Sequence, residues 1–312
     1  MKIGLALPAY DLETLRPLTT GEILSEALRA EAQGFDSIWL MDHYFMVRGR
    51  HRVAGHEPLV TLAHIASQTS RIALGVMVLC NGFRTTPQLA REAAALADAS
   101  AGRFILGLGC GSQPAEHEAF GIPFDHRVSR LEESLAVLKP LMSGSAVDHK
   151  GRYSSLEAAA IATTAPPPPV WVAAFGPRMM ALAARYADGH ITAWHGPDPA
   201  AFIAHRDGLR AALSAAGRPA PAVEVVAGIL ALPARSAEVE GVMRRAAGLA
   251  PSAGDRIEDR VIVGGVDRIA EALAGYAELG VDHAVIAMSP WQFGRFEPDA
   301  ADRLAGVIER LR

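Results

Sequence analysis

Eight short apolar runs, each followed by a segment with helical spacing, constrain this chain more than anything else in it. The runs fall at residues 2–7, 35–40, 72–79, 104–108, 170–174, 190–193, 223–232 and 283–288. Aliphatic and β-branched residues fill them with little polar alternation, which is how strands read when both faces are covered. The helical segments are 20–33, 58–69, 87–100, 128–142, 177–186, 198–216, 266–279 and 299–311. Pro87 suits the first turn of its helix, and Gly34 stops the first one. A further helix is expected at 238–249, followed by a polar gap at 251–260. This alternation predicts an α/β fold, a closed (β/α)8 or TIM barrel, as one domain over residues 1–312. An open doubly wound sheet is the alternative, because strand number alone does not close a barrel.

The rhythm breaks once, between the fourth and fifth units. Residues 143–169 run from polar to alanine-rich and end in four consecutive prolines, Pro166 to Pro169. They read either as an inserted excursion, a hairpin with a proline-stiffened return, or as a linker between two domains.

Composition narrows the function. The formal net charge is −4, with acidic and basic residues interspersed, so neither nucleic acid nor a membrane surface is an expected partner. The first apolar run is too short for a signal peptide, and no charge-free apolar stretch reaches spanning length. Only Cys80 and Cys110 are present, which points to a reducing cytoplasm rather than a disulfide framework. His56, His64, His117, His126, His149 and His205 lack metal-ligand spacing, and no metal is expected.

In a barrel the chemistry belongs where strands end and the following loops begin. Asp42-His43 follows the second run. A carboxylate beside an imidazole can orient it as an acid or base near neutrality, or it can be a helix-start aspartate next to a solvent-facing histidine. The turn Ala173-Ala174-Phe175-Gly176-Pro177-Arg178 leads from the fifth strand into a helix. It offers either an anion site at a helix start or an ordinary tight turn. The run Gly107 to Gly111 lacks the spacing of a dinucleotide fingerprint and reads as a close approach of backbone to a flat ligand. Tyr44, Phe83, Trp194 and Trp291 either line a substrate pocket or pack in the core. Cys80 and Cys110 either touch a ligand or fill space. A lyase or isomerase barrel would want a lysine base, yet the three lysines, Lys2, Lys139 and Lys150, lie away from the strands' C-terminal ends. A non-enzymatic flavin-binding accessory protein is the other alternative.

Several segments carry a more specific likeness. FDSIWLMDHY (35–44), the long stretch RIALGVMVLCNGFRTTPQLAREAAALADASAGRFILGLGCG (71–111), EHEAFGIPF (116–124), RLEESLAVLKPLM (130–142), PPPPVWVAAFGPRMMALAARYADGHIT (166–192) and GVDRIAEALAGYAELGVDHAVI (265–286) resemble, in order and spacing, the bacterial luciferase-like family of flavin and deazaflavin (F420) oxidoreductases. The resemblance implies a TIM barrel holding F420, slightly favoured, or FMN. It implies reduction or mono-oxygenation of a small organic substrate, with His43 and Asp42 as the catalytic pair. It implies a non-proline cis peptide near Val76 to Val78 under the ring, with Val76 and Met77 at that bulge. It places ring contacts at Asn81, Gly109, Cys110 and Gly111. It places the phosphate at Ala174, Phe175, Gly176, Pro177 and Arg178. Some F420-using relatives carry a glutamate acid after the fourth strand. That position is Ser112 here, so the resemblance does not bring a glutamate donor with it. A homodimer is expected, with a flavin reductase as partner should the cofactor be FMN.

Overall fold

The structure, a computed structural model, describes residues 1–48, 51–249, 256–297 and 299–312. Eight parallel strands form the barrel: β1 Lys2–Ala6, β2 Ser37–Leu40, β3 Ala73–Val76, β4 Phe104–Gly109, β5 Val170–Ala173, β6 Gly189–His195, β7 Glu224–Pro233 and β8 His283–Ala287. Each pairs with its sequence neighbour, β8 returns to β1 through Lys2↔His283, and Trp171↔Gly107 joins β5 to β4. The ring is therefore closed, and the open-sheet alternative falls.

Helices α1 Thr20–Ala32, α2 Pro58–Ala66, α3 Thr86–Ala99, α4 Arg127–Met142, α5 Pro177–Tyr186, α6 Ala200–Ala215, α7 Val266–Glu278 and α8 Ala300–Leu311 connect the strands. Local chemistry sets their starts. Thr19 and Glu22 form a reciprocal capping box on α1, and the Glu57 carboxylate accepts the Val60 N–H at the start of α2.

Residues 143–169 contain an antiparallel hairpin, Val147–Lys150 with Ser155–Ala159. Because β4 and β5 on either side pair directly, the segment leaves and rejoins one barrel. Several short elements went unread in the sequence, among them the hairpin Phe45–Arg48 with His51–Ala54, the helix Pro114–Ala119, the strand Ile262–Gly264 beside β7, and the pair Tyr10–Asp11 with Gly294–Arg295. Each is shorter than the window over which periodicity shows. Of the polar gap expected at 251–260, residues 251–255 lie outside the described residues, and Ile257–Arg260 is a helical turn.

Strand period two separates two apolar layers. Ile38 and Leu40 face the helices, whereas Ser37 and Trp39 face the barrel axis. Inside, Trp39 and Trp171 stack with ring centroids 5.2 Å apart, and His283 meets both edge-on at 5.9 and 5.3 Å. The Ser37 hydroxyl accepts the Trp39 Nε1–H at 2.7 Å and bonds His283 Nε2 at 2.7 Å. This plug needs missing side chains around it. A Cβ on Gly75 would stand 2.3 Å from Trp39 Cζ3, and one on Gly189 would stand 2.4 Å from Trp171 Cδ1. Trp39 cannot retreat, because Trp171 and His283 hold it. Gly75→Ala is therefore expected to cost about 1–3 kcal/mol or more from overpacking. The check is the urea midpoint at neutral pH, and an unchanged midpoint would contradict the wedged plug.

Candidate active site

With the lower barrel filled, open volume remains at the C-terminal ends of the strands. A cavity of about 490 Å³ opens there, walled by the ends of β2 to β6, the helix Pro114–Ala119, the start of α4 and the loop after β8. Its floor includes Met77 and Val78, whose peptide bond is cis. That is where the resemblance placed a cis bond.

His43 is the best-defined reactive group on the wall. Its Nδ1 lies 2.8 Å from Glu116 Oε2, and Glu116 Oε1 accepts the Phe45 N–H at 3.2 Å. Glu116 is 1% exposed, so the carboxylate is spent on these two partners rather than on water. With Nδ1–H donating to Glu116, the tautomer is fixed and Nε2 is the nitrogen left to act. The adjacent His117 is also buried. Its Nδ1 faces the Pro123 carbonyl at 3.2 Å and its Nε2 the Cys80 sulfur at 3.6 Å. Burial pushes the Cys80 thiol up to about 12, so it stays protonated and behaves as a small wall residue.

Asp42 requires a correction. It does not orient His43. Successive residues leaving β2 point opposite ways, and Asp42 turns back to accept the Cys80 N–H at 2.8 Å and both arms of Arg84, at 2.8 and 3.1 Å. Arg84 also reaches Glu57 at 2.5 Å and Glu92 at 3.4 Å. Burial alone would lower the Arg84 guanidinium, but Asp42 and Glu57 more than reverse this and raise it. Asp42 thus ties the loop after β3 to the loop after β2, which fixes where His43 starts.

The anion turn is also redistributed. Gly176 is the uncapped N-cap of α5 and Pro177 its first residue, and a Cβ on Gly176 would meet nothing within 4 Å. Phe175 and Gly176 face the cavity. Ala174 is fully buried, its carbonyl accepting from His190 Nε2 at 2.8 Å, and Pro177 lies outside the cavity wall. Arg178 points to α4, where Glu132 at 2.8 Å and Ser129 at 2.9 Å hold it. The cation on the wall is Arg127, in the first turn of α4, stacked over Phe124 at 4.4 Å.

Of the remaining expected residues, Met77, Gly109, Cys110, Gly111, Phe83 and Trp194 line the cavity, and so does Ser112. Val76 is packed in the barrel wall, and Asn81 is buried in a single 3-10 turn behind it. Tyr44, packed on Phe83, lines instead a neighbouring cavity between α2 and α3, and Trp291 lies outside the wall while Gln292 and Phe293 enter. Sequence reasoning missed Glu116, Arg127, Met46 and Phe293. Only the segment EHEAFGIPF, already conspicuous, could have pointed to Glu116.

The profile of the luciferase-like monooxygenase family matches residues 1–247. The chain belongs to that family. An F420-dependent glucose-6-phosphate dehydrogenase of Kineococcus radiotolerans is 37% identical over 178 residues, covering 55% of this chain and 52% of that protein. The chain spans about half the length of the first curated relatives it matches. Among solved structures, an F420-dependent secondary alcohol dehydrogenase in complex with an F420-acetone adduct superposes with a TM-score of 0.80 at 19% identity, covering 100% of this chain and 99% of that one. The EDTA monooxygenase of Chelativorans sp. BNC1 superposes with a TM-score of 0.81 at 19% identity, covering 99% and 93%. At such identities these structures share the family's fold with this chain. No helix among the described residues is long and apolar enough to cross a membrane, and no group of three His, Cys, Asp or Glu among them could hold a metal.

Proposed function

We propose that this chain is an oxidoreductase acting on a small organic substrate with F420, or alternatively reduced FMN, as cofactor. The observation that carries the reading is the buried Glu116 carboxylate on His43 Nδ1, in the wall of a cavity at the strands' C-terminal ends. The cavity fits a flat ring with an anionic tail. Met77, Val78 and Ile191 give it apolar faces, and the uncapped start of α5 together with Arg127 gives it an anion-binding end. F420 is favoured by the curated relatives that are F420-dependent dehydrogenases, and reduced FMN by the monooxygenases of the family.

Bound there, such a cofactor supplies two-electron hydride chemistry. The chain's own residues do the rest. Phe175 and Gly176 leave backbone at the start of α5 for the tail, and Arg127 adds a charge-assisted contact. His43 Nε2 takes a proton from a substrate hydroxyl or returns one to a carbonyl oxygen, and Glu116 stabilises the imidazolium that forms. Asp42 and Arg84 hold the loop that carries His43.

Equilibrium titration of F420, FMN and FMNH2, by fluorescence or calorimetry, tests the reading. Micromolar or tighter F420 binding is expected. Arg127→Ala should weaken it by about 1.5–3 kcal/mol, the usual worth of a hydrogen bond to a charged group. Binding of none of the three would sink the proposal. We also propose a second copy of this chain as partner, seated on α2, where Val60 is 71% exposed, a flavin reductase as supplier should FMN be the cofactor, and the cytoplasm as location. Sedimentation would report the dimer.

A further inference from the structure

We infer that the substrate taken by this cavity is a neutral, apolar alcohol or ketone, and not a phosphorylated or carboxylated molecule; the inference rests on the oxidoreductase reading above. It follows from the polar groups of the wall and from the surface that leads to it.

Most charged groups on the described wall are already engaged. Asp42 belongs to Arg84 and the Cys80 N–H, Glu116 to His43 and the Phe45 N–H, and His117 to the Pro123 carbonyl and Cys80. The described wall holds one arginine and no lysine. That arginine, Arg127, sits on the helix that also holds Arg178 of α5, and so lies toward the end suited to the cofactor's anion. A second anion entering beside Glu116 would be desolvated without a described partner, which is costly. One oxygen, hydrogen-bonded to His43 Nε2, is what this wall can satisfy.

The remainder of the wall is apolar. Met46, Met77 and Ile191 line it, with Trp194 and Phe293 packed edge-to-face at 5.5 Å. An aromatic stack then leads outward. Phe83, in the wall, carries Tyr44 at 4.7 Å, and Tyr44 carries Phe120 at 4.1 Å. Tyr44 is 40% exposed and Phe120 52% exposed. Large aromatics packed on one another and left half in water mark a surface for an apolar ligand.

The test titrates the full chain, with and without F420, by calorimetry and thermal shift. The ligands are isopropanol, longer secondary alcohols, an aryl carbinol, the matching ketones, glucose 6-phosphate and a carboxylate of matched carbon count. Affinity should rise about fourfold per added methylene, the fold-change equivalent of about 0.8 kcal/mol per buried CH2. Glucose 6-phosphate and the carboxylate should bind about tenfold more weakly than the matched alcohol, or worse. Phe293→Asn should flatten the chain-length gradient. Phe293 is buried at φ 60°, a left-handed backbone that asparagine tolerates without bringing a charge into the site, and the thermal shift of the same samples reports whether the variant is folded. Tyr44→Ser, on that exposed aromatic surface, should weaken the aryl carbinol and spare isopropanol. Tighter binding of the anions, a flat gradient, or binding of neither class overturns the inference. Cofactor titration of the same samples separates the two readings. Intact F420 binding without the alcohol gradient overturns the substrate class alone, and the gradient without any cofactor binding overturns the oxidoreductase reading alone.

Discussion

His43→Ala is expected to lower kcat/KM by about 10²–10⁴-fold, the range of a positioned general acid or base, while cofactor binding changes little. Glu116→Gln should recover only part of the native rate. The amide keeps the shape but removes the charge that stabilises the imidazolium, and it can hold His43 in the wrong tautomer. Because Glu116 acts through His43, the effects should not multiply. In the background of His43→Ala, adding Glu116→Gln should cost almost nothing further. Steady-state kinetics on the four proteins, with cofactor affinity measured separately, decides this. Unchanged turnover in His43→Ala would remove His43 from the chemistry. A double variant slower by the product of the two single effects would show that Glu116 acts on its own.

Why this pair was only half legible follows from geometry. Asp42-His43 is adjacent in sequence, so it suggested a pair, but neighbours at a strand end diverge and Asp42 answers to Arg84. The carboxylate that meets His43 comes from 73 residues away. It is carried on the helix Pro114–Ala119, whose six residues are too few to show a period. The same limit hid the hairpin Phe45–Arg48 with His51–Ala54, whose basic stretch reads as loop. The barrel was legible for the opposite reason. Its strands are covered on both faces, so each is an uninterrupted apolar run, and helices such as α2 and α5 begin at a proline. Double coverage also conceals which face is inside. Nothing in SIWL marks Trp39 as interior and Ile38 as exterior until Gly75 and Gly189 are seen making room for the two tryptophans. The strand-to-helix turn at Ala174 to Arg178 is present, but which arginine faces the cavity depends on α4, whose Glu132 draws Arg178 away.

Acid should unfold this barrel while most of its carboxylates are still ionised. His190, His195 and His283 are 0%, 4% and 1% exposed, and each has one hydrogen-bonded ring nitrogen, to the Ala174 carbonyl, the Thr192 hydroxyl and the Ser37 hydroxyl. Burial is the first cause in each case. It lowers His190 and His195 to about 4 and His283 to about 3, from an ordinary 6.5, with His205 repelling the first two and Lys2 the third. The folded state therefore refuses protons that the unfolded chain takes up. The stability at stake is complete above pH 6.5 and drains as pH falls from there toward 4. Each such histidine costs about 1.4 kcal/mol per pH unit in that window. Three together remove about 8 kcal/mol by about pH 4.5, comparable to the 5–15 kcal/mol of a typical domain. Glu26, raised by its own burial, works the other way, but it is one group against three. Urea midpoints taken from neutral pH downward should fall steeply below pH 6.5, with proton uptake on unfolding. His195→Asn, which keeps a polar side chain beside Thr192, should remove about a third of the slope. Stability that stayed level from pH 7 to 5 would mean that these histidines reach water, and that the barrel interior is not the closed plug formed by Trp39, Trp171 and His283.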